Sequence, residues 1–397
     1  MKKFLALPFL LVFSLGITPS QAAVVSEEAI PKIFDALAHS PSMANPSIIV
    51  LDRFTGKTVY EYDSKSLRKP ASVMKILSAS AALEYLDSNK RFTTSVLLGR
   101  KTGSIIISGE LDPWLAVNRK DAVTDHRTWI GYITSKAIEA VKNQTGKPVR
   151  KISIAYEGIY SADIAEIRKS FRSKGVITGA KAIRAEEIAQ LVESKVVSST
   201  SPTVATMVEF ALTWSDNLLA ERLARLASLS AGNTIDDAGV SVTFHSVLDK
   251  FGINNIDLRA HDGSGLSKLD RVNAVMVADF LLKIRSDEKF SSLFKGLPIA
   301  GMTGTLKDRF LKSAPDAIGL VHAKTGTLNG TVSLAGYVES GAHEYIFVII
   351  ADRIPKTSIG TARARGTLDS SLGKIAAPFT PTIPEVPVEE TITATTT

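Results

Sequence analysis

Residues 72–86 read Ser-Val-Met-Lys-Ile-Leu-Ser-Ala-Ser-Ala-Ala-Leu-Glu-Tyr-Leu, a helical run that places Lys75 among Val73, Met74, Ile76 and Leu77. Pro70 and Ala71 precede it, so Ser72 falls near a helix N-terminus. A serine three residues before a lysine on a helix puts both side chains on one face, a turn apart. If that face is buried, the low dielectric penalises the ammonium and pulls the lysine pKa down. A neutral amine can then take the proton of a hydroxyl that is otherwise a poor nucleophile. Free amides and the helix dipole at such an N-terminus favour a developing oxyanion. The plain alternative is a lysine whose stem packs on apolar surface while its tip reaches water.

The pattern S-x-x-K alone is weak, since it also occurs at Ser66/Lys69, Ser286/Lys289, Ser292/Lys295 and Ser371/Lys374. Pro70 biases Lys69 away from helical geometry, and the last three lie in polar or terminal segments without an apolar helix around them. Two further motifs follow in the chain. Trp214-Ser-Asp-Asn217 opens a helix-like run and holds the only S-x-N of the sequence; its plain reading is a helix cap, because Ser, Asp and Asn all cap well. His322-Ala-Lys-Thr-Gly-Thr-Leu-Asn-Gly330 stands directly before two strand-like stretches. Lys-Thr-Gly recurs at 101–103, where it reads as a hairpin turn. The three motifs in this order, each in fitting local structure, form a set that chance does not readily supply.

Outward from these motifs, Ser47–Asp52 and Thr58–Tyr62 flank Phe54-Thr-Gly-Lys57, a hairpin signature. Thr331–Val338 and Glu344–Ile350 read as two more strands, with helix-like stretches at 203–228 and 271–284. Strands at both ends and helices between them predict an α+β unit whose sheet is assembled from both termini. That unit would comprise 24–92 and 196–375. Between them, 93–195 changes texture, with strand-like 103–109 and 149–155 and helix-like 164–174 and 185–193, and reads as an insertion domain. Residues 377–397 are rich in Pro and Thr and read as a disordered tail.

The chain has 397 residues, 45% hydrophobic and 22% charged, which suits two domains or one domain with a large insertion. Lys2 and Lys3 before an apolar run, then Ser20-Gln-Ala22, form the pattern of a secretory signal peptide over 1–22; the apolar run is short for a membrane span. The mature protein is therefore expected outside the cytoplasm. No cysteine is present, which excludes a thiol nucleophile and leaves stability to a sizeable core. The six histidines show no metal-ligand spacing, so a metal enzyme is not expected. The net charge is +7. Outside a cell a basic body meets wall polymers or, peripherally, a membrane surface rather than nucleic acid, and unclustered charge is also what a merely solvated surface carries.

The trio S-x-x-K, S-D-N and K-T-G-T is the signature of penicillin-binding proteins and serine β-lactamases. More narrowly, the chain resembles the low-molecular-mass class C penicillin-binding proteins, the S13 family of D-alanyl-D-alanine carboxypeptidases and endopeptidases. Gly109-Glu-Leu-Asp-Pro-Trp-Leu115, His261-Asp-Gly-Ser-Gly-Leu-Ser267 and Leu297-Pro-Ile-Ala-Gly-Met-Thr-Gly-Thr-Leu306 support the likeness, which runs from about residue 30 to 375. The glycines of 261–267 are expected to serve a tight turn. One departure is the interval of 143 positions from Ser72 to Ser215: it is longer than a β-lactamase-like chain shows and shorter than in the family's largest members, which implies a shortened insertion.

The resemblance implies a β-lactamase/transpeptidase-like fold, with an antiparallel sheet, terminal helices and an all-α region, carrying a smaller inserted domain. It implies Ser72 as nucleophile, Lys75 as general base and Ser215 as proton donor to the leaving amine. Asn217, Lys324, Thr325, Gly326 and Thr327 would bind substrate, and the amides of Ser72 and Thr327 would form the oxyanion hole. Peptidoglycan stem peptides would be substrates and β-lactams inhibitors, with no cofactor. A serine β-lactamase and a catalytically inactive module that binds wall fragments or penicillin remain as alternatives. So does an endopeptidase acting on cross-links with the same machinery. A Ser-His-Asp hydrolase built from His261, Asp262 and Ser264 is disfavoured, because residues so close along a chain rarely form a triad.

Overall fold

The computed structural model describes residues 25–380. The signal-peptide reading at 1–22 and the tail beyond 380 lie outside the described residues. The chain opens with α1 (Ala29–Ala38) and the hairpin β1 (Ser47–Asp52) and β2 (Thr58–Tyr62), then enters α2 (Lys75–Tyr85). A second unit follows: β3 (Thr93–Gly99), β4 (Ser104–Ser108), the short pair β5 (Leu115–Ala116) and β6 (Thr128–Trp129), and β7 (Lys151–Glu157), β8 (Ile177–Ala182) and β9 (Val192–Thr200). Its helices are α3 (Arg119–Thr124), α4 (Ile130–Thr145), α5 (Ser161–Ser173) and α6 (Ala185–Leu191). The chain then passes through α7 (Val204–Thr213), α8 (Asn217–Ser230), α9 (Asp237–Lys250), α10 (Ala274–Ile284) and α11 (Ser291–Lys295). It closes with β10 (Val321–Leu328), β11 (Thr331–Ser340), β12 (His343–Ala351) and α12 (Ser358–Gly373).

The fold is α+β, and its main sheet is assembled from both ends of the chain in the order β10-β11-β12-β1-β2. Neighbouring strands are antiparallel, with Val50 opposite Phe347 and Lys324 opposite Ala335. Ile48–Leu51 of β1 and Tyr345–Ala351 of β12 are continuously apolar because both sheet faces are covered. Ile49, Leu51, Ile346, Val348 and Ile350 face a core shared with α2, α7, α8 and α10. Ile48, Val50, Phe347 and Ile349 face a second core under α1 and α12. The second unit has its own sheet, β8-β7-β4-β3-β9, and its own core around Ile107, Ile133, Ile154 and Phe171.

Three boundaries differ from the reading of the sequence. The sheet of the second unit includes β9 to Thr200, where Thr93 pairs with Thr200, so a division at 195/196 cuts a strand. The helix expected to 193 ends at Leu191, and Val192 already belongs to β9. Val192–Thr200, Val-Glu-Ser-Lys-Val-Val-Ser-Ser-Thr, shows no sustained polar–apolar alternation that would mark a strand. Residues 377–380, the start of the predicted tail, run beside the end of β11: Ala377 N–H donates to the Glu339 carbonyl at 2.9 Å and Thr380 N–H to Gly341 at 2.9 Å. Unpaired backbone groups at a strand end recruit the passing chain despite its composition. No helix among the described residues is long and apolar enough to cross a membrane.

Candidate active site

The three sequence motifs meet at the seam between the main sheet and the helices. Ser72 does not lie in an α-helix, as its sequence suggests. Ala71–Met74 is a single 3-10 turn, and the α-helix starts at Lys75. In a 3-10 turn residues i and i+3 eclipse, so the tighter winding stacks Lys75 directly on Ser72, with Nζ 2.9 Å from Oγ.

Lys75 is buried, only 1% exposed. Its amine donates to Asn217 Oδ1 at 2.7 Å and to the Ser264 carbonyl at 2.6 Å. Both of those partners can only accept. A neutral amine has two hydrogens, so these bonds use both and leave its lone pair facing the Ser72 hydroxyl. Burial lowers the Lys75 pKa to about 8, against the opposing pull of the Asp262, Asp216 and Glu221 carboxylates.

The Ser264 carbonyl comes from His261–Ser267, the stretch expected to form a tight turn. Gly265 takes φ +80°, and a Cβ there would meet the Ala71 carbonyl oxygen at 1.9 Å. Asp262 ties the turn by accepting from the backbone N–H of Ser264 at 2.8 Å and of Ser267 at 2.7 Å. The turn therefore also delivers an acceptor to Lys75, a contact that the sequence alone did not disclose. His261, Asp262 and Ser264 make no triad: Ser264 Oγ lies 3.3 Å from Asp262 Oδ1, and the His261 backbone N–H donates to Asp270.

Ser215 sits between α7 and α8, the two helices into which the helix-like stretch 203–228 divides. It adopts φ +57°, sparsely populated for a residue other than glycine. Asp216 caps α8 by accepting from Leu219 N–H at 2.9 Å, so the capping reading of this motif holds beside any catalytic one. Arg127, in the loop before β6, donates to the second Asp216 oxygen at 2.5 Å. Its guanidinium lies 4.4 Å from the Trp114 ring centre and 4.9 Å from that of Phe210. The second unit thus holds the loop that carries Ser215 and Asn217. No local pattern announces Arg127, which lies 89 residues from its partner.

The third motif lies on β10, itself a strand rather than the approach to one. Fully buried Lys324 donates to Ser215 Oγ at 3.0 Å and to the Thr325 carbonyl at 2.9 Å. Burial first, and then the neighbouring Lys75 charge, hold its amine well below the usual lysine value. A Cβ on Gly326 would meet the Pro70 carbonyl oxygen at 2.7 Å, so its bare Cα lets β10 press on the Ser72 turn. Thr325 Oγ1 is 2.7 Å from Thr305 Oγ1, within the stretch 297–306. Thr327 Oγ1 accepts from Arg365 on α12, a residue outside every motif. Direct hydrogen bonds thus join Lys75 to Ser72 and Asn217 on one side and Lys324 to Ser215 on the other, and Thr325–Thr327 continue from Lys324 along the same strand. Among the described residues no cluster of His, Asp or Glu could hold a metal ion.

This α+β fold, with its helical region packed on a five-stranded sheet, is of the β-lactamase/transpeptidase-like class. Within that class, the chain belongs to the D-Ala-D-Ala carboxypeptidase 3 (S13) family, whose model matches residues 31–144 and 140–368. It is 28% identical over 357 residues to Carboxypeptidase DacB of Mycolicibacterium smegmatis, covering 76% of each chain. It is 24% identical over 460 residues to a D-alanyl-D-alanine carboxypeptidase of an Actinomadura species, covering 87% of this chain and 85% of that one. Penicillin binding protein 4 of Haemophilus influenzae shares the fold, with a TM-score of 0.65 at 17% identity over 88% of this chain and 98% of that one.

Proposed function

We propose that this protein is a serine-type D-alanyl-D-alanine carboxypeptidase that cleaves peptidoglycan stem peptides through an acyl-enzyme on Ser72. The observation that carries the reading is the Lys75 amine, whose two obligate acceptors leave its lone pair to the Ser72 hydroxyl. Ser72 Oγ attacks the carbonyl of the penultimate D-alanine while its proton passes to Lys75. The oxyanion is held by the amides of Ser72 and Thr327. Ser215, bonded to Lys324, relays a proton to the departing amine, and the terminal D-alanine leaves. Water then hydrolyses the ester, and Lys75 recovers its starting state.

Asn217 serves both Lys75 and a substrate amide; Lys324, Thr325 and Thr327 line the carboxylate end of the cleft. The role of Gly326 in this reading is to let β10 approach the nucleophile. A β-lactam enters as a mimic of the same dipeptide and esterifies Ser72. The 93–200 unit is read as an inserted domain, and 1–22 as a leader that delivers the protein outside the cytoplasm, where its substrate lies.

A fluorescent penicillin is expected to label the protein covalently and Ser72→Ala to abolish the label. Label that survives in that variant, or moves to Ser66, refutes the assignment. Incubation with a pentapeptide muropeptide and mass analysis is expected to show loss of one alanine. Scission of a cross-link would assign an endopeptidase instead, and rapid penicillin turnover a β-lactamase.

A further inference from the structure

Asp262 gives the turn at 261–267 its shape, but two helices fix where it stands. Gly263, the residue before Ser264, is gripped from both sides. Its carbonyl accepts from the buried Ser78 hydroxyl on α2, one turn after Lys75. Its N–H donates to Glu221 Oε2 on α8 at 2.6 Å, one turn after Asn217. The helices that carry the base and its side-chain acceptor thus also hold the peptide beside its other acceptor, the Ser264 carbonyl. Glu221 is itself fixed: Oε1 accepts from Arg225 Nε at 2.7 Å, and Arg225 is bonded in turn to the Ile235 carbonyl at 2.6 Å and to Asp237. Two N–H donors therefore converge on one side chain, and a carboxylate accepts from both, whereas an amide would meet one of them with a donor.

The charges around this clamp come from several elements. Asp216 and Glu221 on α8 and Asp262 in the turn all favour the charged form of Lys75 against the burial that lowers it. Lys324 faces Lys75 from β10 as a like charge. Asp270, just beyond the turn, accepts from His261 N–H at 2.8 Å; burial, with Asp262 and Glu221 adding to it, pushes its carboxyl up to about 7.

We propose that Ser78 and Glu221 are positioning residues for the general base: by clamping the Gly263 peptide they hold the Ser264 carbonyl on the Lys75 amine, which keeps the lone pair of that amine turned to Ser72. The inference rests on the acyl-enzyme reading of Ser72 and Lys75 and adds the groups that aim the base. Neither residue touches the nucleophile; both act through Lys75. A clamp that served the fold alone would cost stability and leave the titration of the base unmoved.

Stopped-flow acylation by a chromogenic β-lactam, with the acylation rate constant resolved from non-covalent binding across pH 6 to 10, tests this. Ser78→Ala removes one half of the clamp and no charge. It is expected to slow acylation about tenfold, with binding and the midpoint of the pH profile unchanged. Glu221→Gln sets a donor against Gly263 or Arg225 and removes one of the three carboxylates that favour charged Lys75. It is expected to slow acylation by about 10- to 100-fold. Its midpoint should also fall by about half a pH unit, since less opposes the loss of the Lys75 proton. Parental acylation in either variant, a loss confined to binding, or an unmoved midpoint in Glu221→Gln overturns the proposal. Should Glu221→Gln not fold, Ser78→Ala decides alone. A parent enzyme that the β-lactam does not acylate would refute the acyl-enzyme reading itself, whereas parental variants refute only the clamp.

Discussion

In the proposed mechanism Lys75 concentrates the chemistry of the cleft in one atom. Holding its amine down from 10.5 to about 8 costs on the order of 3 kcal/mol of folding free energy at pH 7. The sign follows from linkage: the folded value lies below the unfolded one, so the cost is complete below pH 8 and fades as pH rises toward 10.5. The same shift makes a base available, because near pH 7 roughly a tenth of the molecules carry the neutral amine. The rate constant for Ser72 acylation, the kcat/KM of the free enzyme, should therefore climb about tenfold per pH unit below 8 and level off above it. Stopped-flow acylation by a chromogenic β-lactam across pH 6 to 10 checks this, and a flat profile through that range would rule out Lys75 as the titrating base.

At the scale of elements, two loops set the site and neither owes its shape to a helix or a sheet. The turn at 261–267 reaches Lys75 only because Gly265 passes against the Ala71 carbonyl. Gly265→Ala combines a left-handed φ with that collision, so it is expected to destabilise the protein by about 2 kcal/mol or more and to slow acylation. Denaturant unfolding and penicillin labelling read the two effects. The α7–α8 loop is held by Arg127 through Asp216. Arg127→Met keeps much of the stacking on Trp114 and Phe210 but drops the ion pair. It is expected to slow acylation by about 10- to 100-fold, since misplacing Ser215 and Asn217 disturbs aligned groups. The pH profile should keep its Lys75 midpoint. A variant with parental acylation kinetics would show that the loop holds its own conformation.

For the whole molecule, α8 is the member that both units share. Its first turn presents Asn217 to Lys75, and one turn further on Arg222 pairs with Asp163 of α5, both side chains almost wholly buried. Burial pushes the Asp163 carboxyl upward against the pull of Arg222, and one oxygen of Asp163 and one nitrogen of Arg222 have no hydrogen-bond partner. Such a pair adds little over an apolar replacement but is costly to break from one side. Arg222→Met alone should therefore lose about 3–5 kcal/mol, and Arg222→Met with Asp163→Leu should regain most of it. Chemical denaturation of the three proteins measures the difference. Equal stability of both variants would show that the two units do not depend on this contact.

Much of this was legible along the chain. The hairpin β1–β2 follows from the two strand-like stretches around Phe54-Thr-Gly-Lys57, and β12 from its unbroken run Tyr345–Ile350 of β-branched and aromatic residues. The three motifs name Ser72, Lys75, Ser215, Asn217 and Lys324, and the burial of Lys75 could be anticipated from its neighbours. These are local properties: periodicity reports how much of a segment is covered, and residue type reports what it can donate or accept. What covers a segment is not local. The pairing of Ser47 with Ile350, the 3-10 turn at Ser72 and the grip of Arg127 on Asp216 were decided in three dimensions. So were the second acceptor of Lys75, a backbone carbonyl that no residue letter encodes, and the closeness of Arg365 to Thr327. Each depends on contacts between distant segments, whose free energy is realised only when the separate elements pack against one another.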